Sequence, residues 1–421
     1  MKSLLVKNII LDNKTTSIYC EKGKIASIGV ERPADTVLDG RGFPVHPPFI
    51  NSHTHAAMTL FRGNGDDLPL MEWLQTRIWP YEQTIKPEEV YWGTKLAIVE
   101  MIHSGITYFV DMYWDFHQVA RAVEEMGIRA CLSAVFIDFD QPEFARQQRE
   151  TNERLFSEMG RYSDHVTFAI APHAIYTVSE ESLLWAGEFT RRHNLYLHTH
   201  LSETQKEVQD CRDAHGCTPV EYLHRLNLLS DRLVAAHTVI LTERDIELLG
   251  SHRVLCVHNP VSNMKLAVGG VYPYRKLKES GAIPALATDG AGSNNNLDIL
   301  EDMKIAALLQ KHHQQDPTAL PAPEVMQMAT TNPAHFFKYP CDTIHLGGPA
   351  DFILLNTHRP EMIPMHNLVS HLVYSANSSV VDSVVCDGKV LMEHGVIEGE
   401  EEILMKAAEA AKQMFGRVDF P

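Results

Sequence analysis

The chain has 421 residues, 44% hydrophobic and 22% charged, which suits a soluble globular protein of two or three domains, or one large α/β barrel with an attachment. Thirty-seven basic against 54 acidic residues give a net charge of −17, which argues against a nucleic-acid footprint and against docking on an anionic membrane. Seven scattered cysteines without a Cys-x-x-Cys fit a reducing compartment better than a disulfide framework. No apolar run reaches membrane-spanning length, and the apolar start at Leu4-Leu5-Val6 is cut short by Lys7 and Asp12, so a cytoplasmic protein is expected.

Residues 1–48 read as short strands and turns, Leu4 to Leu11, Thr16 to Cys20 and Lys24 to Ile28, with a turn at Asp39-Gly40-Arg41-Gly42. Such a segment is too small to fold comfortably alone. From 49 to 338 short apolar runs alternate with longer helical stretches, the pattern of a parallel sheet. Eight strands are expected: Phe49–His53, Ile106–Asp111, Arg129–Phe136, Thr167–His173, Leu195–His200, Leu233–His237, Arg253–His258 and Pro284–Asp289. A (β/α)8 barrel follows, flanked by a small β-sandwich domain built from residues 1–48 and 339–421. In that last segment a buried strand ends at Leu355, a hairpin spans Ser383 to Met392, and a helix closes the chain at Glu401 to Phe415.

Seven of the eight expected strands finish at or near a histidine or an aspartate. In a parallel barrel all those ends open onto one face, where catalytic groups collect. Burying that many imidazoles without a shared task would carry a desolvation penalty at each one. His53 and His55, two apart on a strand, point the same way and can grip one metal ion. His200 offers a third imidazole and Asp289 a carboxylate that can also take a proton from water. Glu203, just past the fifth strand, could carry protons, and His237 could stabilise charge on attacking water. His173 and His258 are read as orienting substrate or packing beneath the site.

Asn51-Ser52-His53-Thr54-His55, His200-x-x-Glu203, His237 and Thr288-Asp289-Gly290 together resemble the amidohydrolase superfamily. Within it, Met58 to Gly63, Glu72-Trp73-Leu74, Pro172-His173, His258-Asn259-Pro260 and Ser293-Asn294-Asn295 are similar to the 5′-methylthioadenosine/S-adenosylhomocysteine deaminases. The resemblance runs nearly end to end. It implies hydrolytic removal of the 6-amino group of an adenine nucleoside, a small-molecule substrate, using one divalent metal ion bound by His53, His55, His200 and Asp289. Zinc is the first choice, although iron and manganese accept the same ligands. It further implies that Glu203 protonates the ring nitrogen, that His237 and Asp289 handle the water, that Glu82 binds the ribose hydroxyls, that His173 contacts the purine and that Trp73 walls the pocket. A homo-oligomer stays open.

One departure stands out. Relatives that favour S-adenosylhomocysteine carry an arginine in the third-strand run, and an ungapped reading puts Ala134 there. Losing that clamp should weaken binding of a carboxylate tail, unless Arg146 or Arg149 replaces it. Methylthioadenosine and adenosine are therefore expected to be better substrates than S-adenosylhomocysteine. The rivals are a deaminase or dechlorinase acting on a free base, pterin or triazine, and a non-catalytic barrel scaffold.

Overall fold

A computed structural model describes residues 3–418; the outermost residues of both terminal segments, 1–2 and 419–421, lie outside the described residues. Among the described residues, fifteen strands form two sheets. The first four are β1 (Leu4–Leu11), β2 (Lys14–Glu21), β3 (Lys24–Ile28) and β4 (Thr36–His46). Then come the barrel strands β5 (Phe49–Thr54), β6 (Ile106–Tyr113), β7 (Arg129–Phe136), β8 (Val166–Pro172), β9 (Tyr196–Leu201), β10 (Leu233–His237), β11 (Leu255–His258) and β12 (Ile283–Leu286). The last three are β13 (Phe352–Leu355), β14 (Val381–Cys386) and β15 (Lys389–Met392).

Strands β5 to β12 lie side by side in sequence order, every measured pairing parallel. They are buried along their length because helices cover the outside and side chains fill the inside. The ring closes between its first and last members through one side chain and one backbone hydrogen bond. Asn51 donates to the Thr288 hydroxyl at 2.8 Å and accepts from the Thr288 N–H at 3.1 Å, and the Asp289 N–H reaches the His53 carbonyl at 3.2 Å. Inside the ring, Ile50, Tyr108, Val110 and Val234 pack together, and Phe336 and Phe337 plug the end where the strands begin. Each such buried apolar side chain stabilises the fold by about 1.5–3 kcal/mol.

The second sheet has seven strands in the order β15-β14-β13-β4-β1-β2-β3, so both terminal segments build it together. The join is antiparallel pairing of β13 with β4, Ile353 opposite His46. One sequence expectation fails here. Asp39-Gly40-Arg41-Gly42 is not a turn but the middle of β4, where the register against β1 shifts between Lys7 and Ile9. A Cβ on Gly40 would lie 2.3 Å from the Ile9 side chain and 2.8 Å from the Lys7 carbonyl, so the glycine serves a close approach at a bulge. The helix Glu400–Phe415 leaves the small sheet and packs on the barrel. There Phe415 meets Tyr81 and Phe61 edge-on, and Arg417 pairs with the buried Glu89. All seven cysteines are free and buried, and no helix among the described residues is long and apolar enough to cross a membrane.

Candidate metal centre and catalytic cavity

The strand ends converge as a parallel barrel requires. His53 lies on β5 and His55 just beyond it, His198 and His200 on β9, His237 at the end of β10, and Asp289 three residues past β12. His55 Nδ1–H donates to the Met112 carbonyl at 2.7 Å, and His200 Nδ1–H donates to the His173 carbonyl at 2.7 Å. A carbonyl can only accept, so both protons sit on Nδ1 and both Nε2 atoms present lone pairs. Those two Nε2 atoms lie 3.2 Å apart. Two lone pairs facing at that distance repel unless a cation stands between them.

His53 completes the picture. Its ring is fully buried, Nδ1 is 2.8 Å from His198 Nε2, and Nε2 makes no hydrogen bond. Asp289 Oδ1 lies 3.3 Å from His53 Nε2 and 3.4 Å from His55 Nε2. Donors about 2.0–2.1 Å from one tetrahedral ion sit about 3.3–3.4 Å from each other, so this donor set fits a divalent metal. Burial pushes the His53 imidazole down to about 4 despite the nearby Asp289, leaving the neutral ring a metal needs. Asp289 stays well below the usual carboxylate range: burial opposes ionisation, but His53, His237 and His55 outweigh it.

His237 also belongs to the cluster, within 4.8 Å of donors on His53 and His200. Its Nδ1 is 2.7 Å from Asn263 Oδ1 and 3.7 Å from Glu203 Oε1. Burial disfavours its charged form, yet Glu203 and Asp289 raise it overall. Both His237 (φ +73°) and Asp289 (φ +63°) hold left-handed backbone, which is strain of about 1–3 kcal/mol each and collects at functional sites. Glu203 is pushed up to about 7, chiefly by burial. The loop carrying it is fixed by Glu207, whose two oxygens accept the N–H groups of Ser202 (2.8 Å) and Glu203 (2.7 Å).

The cluster opens onto one cavity. Glu203, His237, Asp289, His55 and His200 form its floor; Glu82, His173 and Trp73 stand on its wall. Trp73 is both pocket wall and core, since it is 6% exposed. Burial pushes Glu82 up to about 7 against the pull of the Tyr113 and Trp114 side chains beside it. His173 Nδ1 meets the Thr177 hydroxyl at 2.9 Å, and burial drives its ring down to about 3. His258 does not line the cavity; it stacks on Tyr272 at 4.5 Å.

The register expected at Ala134 is also corrected. Ala134 packs outward against the helix layer, whereas Val135 and Ile137 face the cavity. Neither Arg146 nor Arg149 reaches it: Arg146 pairs with Glu143 and Glu150, and Arg149 with Glu181 at 3.0 Å. Sequence reasoning missed the groups that hold the site in place. His198 backs His53, Asn263 backs His237, and Ser262 (2.7 Å) and Ser293 (3.1 Å) donate to Asp289 Oδ2. Ser293 stands in a quoted motif and Ser262 and Asn263 just beyond another, but nothing in their spacing signals which ligand each one supports.

Residues 45–391 match the model of the amidohydrolase family. The chain is 44% identical over 425 residues to a 5′-deoxyadenosine deaminase of Methanospirillum hungatei, covering 99% of this chain and 95% of that one. It is 46% identical over 419 residues to a 5-methylthioadenosine/S-adenosylhomocysteine deaminase 1 of Archaeoglobus fulgidus, with 99% and 98% covered. Among solved structures, an adenosine deaminase from Xanthomonas campestris with bound zinc superposes with a TM-score of 0.90 at 30% identity, covering 98% of both chains. With its barrel, its strand-end histidines and these likenesses together, the chain belongs to the amidohydrolase family.

Proposed function

We propose that this protein removes the 6-amino group of an adenine nucleoside by hydrolysis, giving the hypoxanthine nucleoside and ammonia. His53, His55, His200 and Asp289 would hold one divalent ion, zinc by first choice. When bound, such an ion lowers the pKa of water towards neutrality and so supplies a nucleophile. Asp289, its second oxygen held by Ser262 and Ser293, accepts a proton from the attacking water. His237, fixed through Nδ1 by Asn263, orients that water with Nε2. Glu203, kept protonated near neutrality by burial, protonates the ring nitrogen next to C6. The C6–N bond then breaks. Asp289 passes the water proton to the amino group, which leaves as ammonia; the proton from Glu203 stays on the ring nitrogen, and the second proton of the water returns to Glu203.

Glu82 would take the ribose hydroxyls and His173 the purine, with Trp73 along one side. A carboxylate facing the cavity supports a substrate that carries a diol over a free base, pterin or triazine. We also read residues 1–48 and 339–421 as one small unit around a catalytic barrel of 49–338, working in the cytoplasm.

The observation that carries this reading is the meeting of four metal-competent donors beside one cavity whose lining also holds buried Glu203 and Glu82. Ammonia release from adenosine, 5′-deoxyadenosine, 5′-methylthioadenosine, S-adenosylhomocysteine, adenine and guanine tests it. Turnover of the nucleosides is expected, with S-adenosylhomocysteine the poorest of them. Turnover of the free bases alone would contradict it.

A further inference from the structure

Next to the nucleoside cavity lies a second hollow, with about 770 Å³ of space open to solvent. Trp79, Glu82, Trp114 and Ile137 are walls common to both, and Phe139 and Phe144 complete the second. Besides the indole N–H groups, Glu82 and Gln83 bring polar side chains to it, and among the described residues no lysine or arginine lines either cavity. We propose that this aromatic vestibule is a subsite for an uncharged thioether group on the 5′ carbon, larger than methylthio. The inference rests on the deaminase reading and deepens it.

Position comes first. With the base over the metal-competent cluster and the ribose at Glu82, a 5′ substituent leaves the sugar beside the wall that the two hollows share. The rim is also built, not accidental. Phe139 is 47% exposed and sits at φ +46°, a strained backbone for a bulky residue. Buried Asp138 holds it there: its Oδ1 accepts the N–H groups of Asp140 (3.0 Å) and Ser179 (2.9 Å), and its Oδ2 accepts the Ser179 hydroxyl (2.7 Å). The Phe139 N–H is tied to the Thr177 carbonyl at 3.0 Å, and its ring meets Trp79 edge-on at 6.0 Å.

An alkyl or aryl thioether would cover Phe139 and Trp79, gain apolar burial, and place sulfur among ring edges. A zwitterionic homocysteine tail would find aromatic walls and no cation, and would lose solvation without compensation.

The test is kcat/KM for 5′-deoxyadenosine, 5′-methylthioadenosine, 5′-n-butylthioadenosine, 5′-benzylthioadenosine and S-adenosylhomocysteine, on wild type and on Phe139→Ala. The butylthio and benzylthio compounds should match or exceed methylthio through a lower KM, with S-adenosylhomocysteine about tenfold or more below them. Phe139→Ala should lower the butylthio-to-deoxy ratio of kcat/KM about fivefold, through KM. Rejection of both bulky thioethers while 5′-deoxyadenosine turns over, or an unchanged ratio in Phe139→Ala, overturns the vestibule alone. No turnover of any nucleoside overturns the deaminase reading and the vestibule with it.

Discussion

The two ends of the barrel treat buried charge in opposite ways. Where the strands begin, Arg129 of β7 is buried among three carboxylates: Asp387 at 2.9 Å, Asp351 at 3.7 Å and Asp164 at 3.8 Å, with its guanidinium 5.4 Å from the Tyr339 ring. Burial opposes its charge, but Tyr339 and the nearby acids raise its pKa further. Two of those acids, Asp351 and Asp387, flank β13 and β14, so the cation ties the barrel to the small sheet. Where the strands end, Nε2 lone pairs face each other, His53 Nε2 has no hydrogen bond, and His237 and Asp289 hold strained backbone. One end pairs its buried cation with acids of the same chain. The other is built around something the chain itself does not contain.

Mutations at the two ends should therefore separate activity from stability. The largest effect is expected at Asp289→Asn, which should lower kcat by about 10³–10⁴-fold with little change in the melting temperature, checked by ammonia release beside a thermal scan. Arg129→Met strips the pairing partner from buried acids and should lose about 3–5 kcal/mol of stability in denaturant titration while kcat at low temperature is retained. Equal losses of activity and stability in both variants would erase the distinction.

Glu203→Gln sharpens the account of the mouth. A carboxyl raised to about 7 by burial keeps its proton below that pH and loses it above. A reaction that needs the protonated acid should therefore run flat below about 7 and fall above it. Glu203→Gln should cost about 10²–10³-fold in kcat and abolish that fall; a basic limb that survives the substitution would assign it to another group. The smallest effect is expected from His198→Phe, which removes the support behind His53. Metal affinity should drop about 10–100-fold, with activity restored by excess divalent metal. Loss that metal cannot rescue would make His198 more than a support.

Much of the barrel and of its mouth could be read from the chain because the strand-end pattern is local. Arg129–Phe136 and Leu233–His237 coincide with β7 and β10 residue for residue, since each is a short, mostly apolar run of strand length. β4 escaped because Gly40 and Gly42 look like turn formers, whereas Gly40 lets two strands approach at a bulge. The outward turn of Ala134 was hidden for a related reason: a slip of one residue swaps strand faces, and nothing in Leu132 to Phe136 marks which face is inner. His198, Asn263, Ser262 and Ser293 act across 145, 26, 27 and 4 residues of chain, so their partners follow from the folded ring and not from spacing.

Anomalous diffraction at a metal absorption edge bears most directly on the mouth of the barrel. One strong peak per chain is expected, about 2.0–2.2 Å from His53 Nε2, His55 Nε2, His200 Nε2 and Asp289 Oδ1. No peak in protein purified without chelator and supplied with zinc, or a peak held by other residues, would contradict it.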